Sequence, residues 1–114
     1  MSAAALIYCT CPSRAEALRI GQAVVEARLA ACANVLDGMT SVYRWQGRIE
    51  QASEAVLILK TRSELASAAT ERVRSLHAYD VPAILVLPVT GGHAPFLNWI
   101  AAETDCPHDD AAMI

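Results

Sequence analysis

The chain has 114 residues, of which 54% are hydrophobic and 18% are charged, and it carries a formal net charge of −3 at pH 7. This length supports one domain with a hydrophobic core and is too short for two. The negative charge argues against nucleic acid as the main partner, because phosphate binding requires a basic surface, and no apolar stretch is long enough to cross a bilayer.

Composition also predicts the assembly and the location of the protein. A small domain with so few charged residues has surplus apolar side chains, which predicts that part of its surface is buried against other subunits. The N-terminus MSAAALIYCT lacks the basic region of a secretory signal, so we expect a cytoplasmic protein. In a reducing compartment its four cysteines are expected to be thiols.

The first two elements are a strand and a helix. Residues 5–10 (ALIYCT) form a short apolar run rich in strand formers. Ser13, followed three positions later by Glu16, predicts a capped helix over residues 14 to about 31. Gly21 inside this helix predicts close packing on a sheet. The apolar residues at helical spacing are Leu18, Val25, Leu29 and Cys32.

A long hairpin is predicted next. Residues 33–45 favour an extended chain with a bend at Asp37 and Gly38, and Gln46 with Gly47 predicts the turn. The returning strand reaches residues 55–59, which are apolar without alternation, as is typical of a strand buried in the middle of a sheet.

The second half predicts a helix over about 63–76, a strand over 83–89 and a short helix over 94–103. The buried side of the first of these helices is predicted to hold Leu65, Ala69, Val73 and Leu76.

The order strand, helix, strand, strand, helix, strand predicts an α+β fold, a ferredoxin-like βαββαβ sandwich with long hairpin strands and a C-terminal helix. Its central strands would be residues 5–9 and 55–59, and the aromatic hairpin would lie at an edge that invites another subunit. We expect residues 1–104 to form a single domain and residues 105–114 to form a frayed tail.

Two cysteines at the end of the first strand form a C-x-C pattern. Cys9 and Cys11 would face the same way on an extended chain, and soft sulfur suits Cu(I) or Zn(II). Packing in an apolar core also explains Cys9 and is the favoured interpretation from the residues alone, because cysteine is among the most buried residue types. Both interpretations stay open at this point.

Later in the chain, His77, Cys106 and His108 each have two possible roles, a structural role and metal binding. His77 falls in the last turn of a predicted helix, where an imidazole can bond the free carbonyls or can bind a metal. Near the C-terminus Cys106 and His108 lie beside two aspartates, but a flexible segment does not fix ligand geometry. We interpret that segment as a solvated charged end.

Catalytic signatures are lacking in the sequence, so we expect no enzymatic activity. Lys60 ends an apolar central strand, where a charge needs a partner or an opening to water, and therefore predicts a cleft.

Five segments in series, LAACANVL, SVYRWQG, ILKT, HAYDVP and FLNWI, resemble the CutA divalent-cation tolerance family in order and spacing. The resemblance covers residues 5 to about 102. It implies a ferredoxin-like fold and a homotrimer assembled through the long hairpin strands. It also implies a role in tolerance of copper and other divalent metals, without a known reaction.

The resemblance further implies particular site residues. The family's proposed copper ligands match Cys9 and His77, and its recurring positions around an intersubunit cleft match Lys60, Tyr79 and Trp99. The sequence departs from the family at Ala78, where proline is common, and at Ala83, where glutamate is common. An alanine at position 83 removes one oxygen ligand from the cleft.

The leading hypothesis is therefore a homotrimer that binds Cu(II) or another soft-to-borderline metal through Cys9 and His77. The alternative is a trimeric signalling or scaffold protein whose intersubunit cleft binds a small anionic metabolite near Lys60, Tyr79 and Trp99. An enzyme ranks lowest, since the fold alone implies no activity.

Overall fold

The computed structural model describes residues 3–104, so the predicted tail with Cys106 and His108 lies outside the described residues. The strands are β1 (Ala4–Cys11), β2 (Cys32–Trp45), β3 (Arg48–Arg62) and β4 (Ile84–Val89). The helices are α1 (Arg14–Glu26), α2 (Ala66–Leu76, preceded by a 3-10 turn over Ser63–Leu65) and α3 (Ala94–Glu103).

The strands form one antiparallel sheet in the order β2-β3-β1-β4, which is the predicted ferredoxin-like arrangement. The prediction that β1 and β3 are the central strands and that the hairpin strand β2 lies at an edge is confirmed. Alternate residues of β1, among them Ile7, Cys9 and Cys11, are fully buried in the core. That core lies between one face of the sheet and the helices α1 and α2.

Helix α1 begins as predicted. The Ser13 hydroxyl accepts a hydrogen bond of 3.1 Å from the Glu16 backbone N–H, which satisfies one of the free donors of the first turn. A Cβ atom on Gly21 would lie 3.0 Å from the Ala33 Cβ and 3.0 Å from a Leu57 methyl group. The helix backbone therefore lies directly on the sheet, and the predicted close packing is confirmed.

The predicted end of α1 near residue 31 is wrong, because the helix ends at Glu26. Arg28 takes a left-handed conformation with φ 60°, and its N–H donates to the Val25 carbonyl over 3.0 Å. Leu29 N–H then donates to the Val24 carbonyl over 3.1 Å, which completes a Schellman motif. Leu29 lies beyond the helix, but the Schellman motif folds it back onto the hydrophobic core. For this reason it fits the helical spacing of apolar residues in the sequence.

Helix α2 confirms its predicted buried side. Leu65, Ala69 and Val73 are buried, and Leu76 packs against the same core with part of its surface exposed. The helix ends at Leu76, and His77 follows as its C-cap with extended backbone angles. The chain therefore changes direction at His77.

The predicted bend in β2 is a β-bulge. Asp37 and Gly38 oppose the single residue Ala55 between the Leu36–Val56 and Met39–Glu54 pairs, and Gly38 has φ 79°. The Gly38 N–H donates to the Asp37 carboxylate over 2.8 Å. The bulge changes which alternate residues of β2 face the helix side of the sheet.

Beyond the bulge the hairpin projects from the domain. Strand β1 pairs with β3 only at residues 55–62, so residues 39–54, here called the arm, form a two-stranded ribbon. The radius of gyration is 15.2 Å, whereas a compact domain of this size has about 13 Å. The predicted turn at Gln46 and Gly47 is confirmed, and both residues have positive φ, 50° and 78°.

Apolar side chains are exposed on both faces of the arm. Tyr43 and Trp45 share one face and are 42% and 54% exposed. Val42 and Ile49 lie on the opposite face and are 62% and 60% exposed. An isolated two-stranded hairpin is only marginally stable in water. The exposed apolar side chains of the arm therefore indicate that another subunit packs against it.

Candidate metal centre

The strongest concentration of metal-ligating side chains lies at the end of β1. One ligand atom each from Cys9, Cys11 and His77 lies within 4.8 Å of the others. Within residues 3–104, no other group of three or more His, Cys, Asp or Glu side chains meets the same geometric requirement. The two thiols are 0% exposed, and the imidazole is partly exposed.

Local structure explains how these residues meet. Cys9 and Cys11 are two positions apart on a strand, so both side chains point towards the helices. His77 ends α2, whose buried side packs on the same face of the sheet. The structure thus brings together the two predicted ligands Cys9 and His77 and adds Cys11. The C-x-C spacing was the sequence signal for this third residue.

The His77 ring is held by two hydrogen bonds. Its Nε2 lies 2.7 Å from the Thr10 carbonyl, and its Nδ1 accepts the Tyr79 backbone N–H over 3.1 Å. Because a carbonyl can only accept, the proton of the neutral ring is on Nε2. Binding of a metal by His77 therefore requires that the ion replace one of these two partners.

The sequence suggested that the His77 ring would bond free carbonyls at the end of its own helix. The structure shows a different partner. The ring bonds the Thr10 carbonyl of β1, although the His77 backbone N–H still donates to the Arg74 carbonyl. The extended backbone at His77, with φ −78° and ψ 145°, turns the side chain away from the helix axis.

The two buried thiols influence each other's ionisation. A hydrogen bond between them raises the pKa of Cys9, which burial raises further, and lowers the pKa of Cys11. Of the two thiols, Cys11 therefore loses its proton first as the pH rises, and Cys9 keeps its proton to higher pH. Metal binding through both sulfurs would release that proton and would grow stronger as the pH rises.

The donor set fits a soft metal ion. Two sulfurs and one imidazole nitrogen suit Cu(I) or Zn(II), whereas Mg²⁺ and Ca²⁺ require oxygen ligands. Ligand atoms on a thiolate-bound ion lie about 3.5–3.8 Å apart, so movements of about 1 Å would close the group. Ala78 and Ala83, the departures from the family, line a neighbouring pocket and are not members of this three-residue group.

The three predicted cleft residues do not meet within one chain. The Tyr79 hydroxyl donates to the Glu54 carboxylate over 2.8 Å. Lys60 instead places its ammonium 5.5 Å from the centre of the Phe96 ring, which stacks on Trp99 at 5.6 Å. Glu54 and Lys60 are six residues apart on β3, a separation of about 20 Å. A cleft shared by Tyr79 and Lys60 would therefore need two subunits.

The pocket around Tyr79 has a volume of about 910 Å³ and lies between the arm and residues 78–83. Its lining includes the carboxylates of Glu54 and Asp80 and no Lys or Arg side chain. Within one chain this charge opposes the binding of an anion beside Tyr79.

Titration of Tyr79 tests this arrangement. Burial and the hydrogen bond to Glu54 raise the pKa of Tyr79 from 10.0 to about 12. The folded state thus holds the phenolic proton more tightly than the unfolded chain, so the resulting stabilisation is complete below pH 10 and is lost as the pH rises towards 12. Ultraviolet titration against Tyr79→Phe should show one tyrosine with this high pKa. Glu54→Gln should lower it, and an unchanged value would contradict the assigned bond.

The described residues define a ferredoxin-like α+β domain with a projecting arm and a buried thiol–imidazole cluster. No helix within residues 3–104 is long and apolar enough to span a membrane. The family model for the CutA1 divalent ion tolerance protein matches residues 5–103. The chain belongs to the CutA family of divalent-cation tolerance proteins.

Individual relatives agree with this assignment. Protein CutA from Homo sapiens is 42% identical over 94% of this chain and 60% of its own length. The divalent-cation tolerance protein CutA from Thermus thermophilus is 41% identical over 87% of this chain and 96% of its own length. The chain spans little more than half the length of several other relatives, including those from Mus musculus and Arabidopsis thaliana.

Solved structures share the fold. The CutA1 protein of Ehrlichia chaffeensis superposes with a TM-score of 0.89 at 36% identity, over 93% of this chain and 99% of that chain. A periplasmic divalent cation tolerance protein CutA from Archaeoglobus fulgidus gives a TM-score of 0.86 at 38% identity, over 90% of this chain and 99% of that chain. The predicted fold class and family are both confirmed.

Proposed function

We propose that this protein is a homotrimer that protects against excess metal by binding copper, or another soft-to-borderline divalent metal, at the cluster of Cys9, Cys11 and His77. The convergence of these three side chains at the end of β1 is the observation that carries the proposal. A pair of protein ligands seldom binds tightly, and the second thiol brings the number to three.

Each residue has a defined part in the proposed binding. Cys9 and Cys11 supply sulfur ligands from a rigid central strand, which fixes their spacing. His77 supplies the nitrogen and is the one member of the cluster with exposed surface, so the ion would enter beside it. The role is binding and not catalysis, in line with the tolerance function that gives the family its name.

The proposed trimer rests on the arm and the sheet edge. Strand β2 has a free edge, and both faces of the arm expose large apolar side chains. A cytoplasmic location is part of the same proposal, since Cys9, Cys11 and Cys32 are all free thiols and a reducing compartment would keep them so.

The alternative, a signalling or scaffold trimer that binds a small anion, has weaker support. Lys60 lies on Phe96 beside Trp99, but Tyr79 is paired with the Glu54 carboxylate far along β3. A thermal-shift screen of nucleotides and organic anions separates the two functions, because a ligand of the native state raises the melting temperature. A clear rise with an anion, lost in Lys60→Ala, would favour the alternative.

Native mass spectrometry of the reduced protein with one equivalent of Cu(II) per subunit, with and without ascorbate, tests the proposal. We expect a trimer that binds one copper per chain. The Cys9→Ser, His77→Ala double variant should remain folded and lose this uptake, because it removes two of the three ligands.

The matched control is the Cys32→Ser, His93→Ala double variant. It removes the same two residue types from positions outside the cluster, and the His93 side chain caps no helix N–H. Copper uptake should be unchanged in this control. Equal uptake by both double variants would contradict a site at Cys9 and His77.

A further inference from the structure

The cluster differs from a general divalent-cation site in its donors. Two of its three ligands are thiols, and no carboxylate belongs to the group. Soft thiolate ligands favour Cu(I) and Zn(II) among the common biological cations, so the choice lies between these two ions.

Coordination number separates the two ions. Zn(II) takes four ligands, with water as the fourth where the protein supplies three. No fourth Cys, His, Asp or Glu joins the cluster within residues 3–104, and both thiols are 0% exposed, which leaves water no access at the sulfurs. The Thr10 carbonyl lies 3.6 Å from the Cys9 sulfur, but a backbone carbonyl is not among the usual Zn(II) ligands, which are Cys, His, Asp and Glu side chains. Cu(I) is satisfied by two or three soft ligands.

Burial also limits the number of ligands. Cys9 and Cys11 lie in the apolar core, packed with residues such as Ile7, Ala17 and Val73. These apolar side chains offer no further nitrogen, oxygen or sulfur atom to an ion held by the two thiols.

From these features we propose that the cluster is a three-coordinate Cu(I) site with Cys9, Cys11 and His77 as ligands, and that Cys11 gives the site its preference for Cu(I) over Zn(II). This inference rests on the proposed function, that the cluster binds metal, and names the ion and the residue that selects it. The metal bound would thus be monovalent in a protein whose family is named for divalent cations.

Anaerobic competition titrations measure this preference. Reduced protein is titrated with Cu(I) against the chelator bicinchoninate and, separately, with Zn(II) against a chromophoric zinc chelator. We expect one Cu(I) per chain, bound at least about tenfold more tightly than Zn(II). Cys11→Ala should weaken Cu(I) binding at least about 100-fold, since it removes a ligand, whereas loss of an outer partner costs 10–100-fold.

Controls address folding and the other cysteines. Cys32→Ala and Cys106→Ala should leave the Cu(I) affinity unchanged, and Cys11→Ser provides a second variant if Cys11→Ala loses its native circular dichroism. Zn(II) binding as tight as that of Cu(I), or an unchanged affinity in a folded Cys11 variant, would overturn this inference. Absence of binding of either metal to the wild type, or retention of both by the Cys9→Ser, His77→Ala variant, would instead overturn the proposed function.

Discussion

The Val42→Glu, Ile49→Glu double variant should convert the proposed trimer into a monomer. Both side chains lie on one face of the arm and are 62% and 60% exposed in the single chain. If this face is buried between subunits, two carboxylates per chain would have to be desolvated. Arg44, which pairs with Ile49 on the same face, could balance only one of them, so the other would cost several kcal/mol. Light scattering should then report one chain mass, 12.2 kDa, in place of three.

The control for this result is the Ser67→Glu, Ala68→Glu double variant. Both residues are exposed in the first turn of α2, outside the arm, so the control adds two carboxylates per chain without placing them on the proposed interface. We expect the control to remain a trimer. A Val42→Glu, Ile49→Glu variant that stays a trimer would contradict assembly through this face of the arm.

Leu57→Ala should cause the largest loss of stability among single core substitutions. Leu57 is fully buried in β3, opposite Cys9 on one side and Val35 on the other. It also lies against the α1 backbone at Gly21, which has no side chain that could move into the space left by Leu57. Such a cavity lowers the free energy of unfolding by about 2–5 kcal/mol.

Chemical denaturation at a fixed protein concentration measures this loss, because the stability of an oligomer depends on concentration. Leu18→Ala is the matched control, since Leu18 lies on α1 with 42% of its surface exposed. Its loss should stay below about 1 kcal/mol. Similar losses for both variants would show that Leu57 does not occupy the packed centre of the domain.

Periodicity made the fold predictable because strand and helix patterns are local properties of the sequence. The strand β1, the capping serine before α1 and the buried side of α2 all appeared where predicted. The end of α1 did not, because a left-handed Arg28 ends the helix while Leu29 keeps helical spacing. The left-handed residue that ends a helix is usually glycine, so an arginine at position 28 gives no sequence signal for a helix end.

The candidate site was predictable only in part. The C-x-C spacing placed both thiols on one face, but the bond from His77 to Thr10 joins residues that are 67 positions apart, and no local pattern reports it. The separation of Tyr79 from Lys60 also depends on the tertiary path of residues 77–83 and on the partner that each side chain finds.

X-ray absorption at the copper edge of the copper-loaded protein tests the central claim most directly. A site formed by Cys9, Cys11 and His77 predicts sulfur neighbours at about 2.3 Å, the typical length of a metal–thiolate bond, together with one imidazole nitrogen. The sulfur signal should be halved in Cys11→Ala. A first shell of oxygen and nitrogen alone would contradict binding at this cluster.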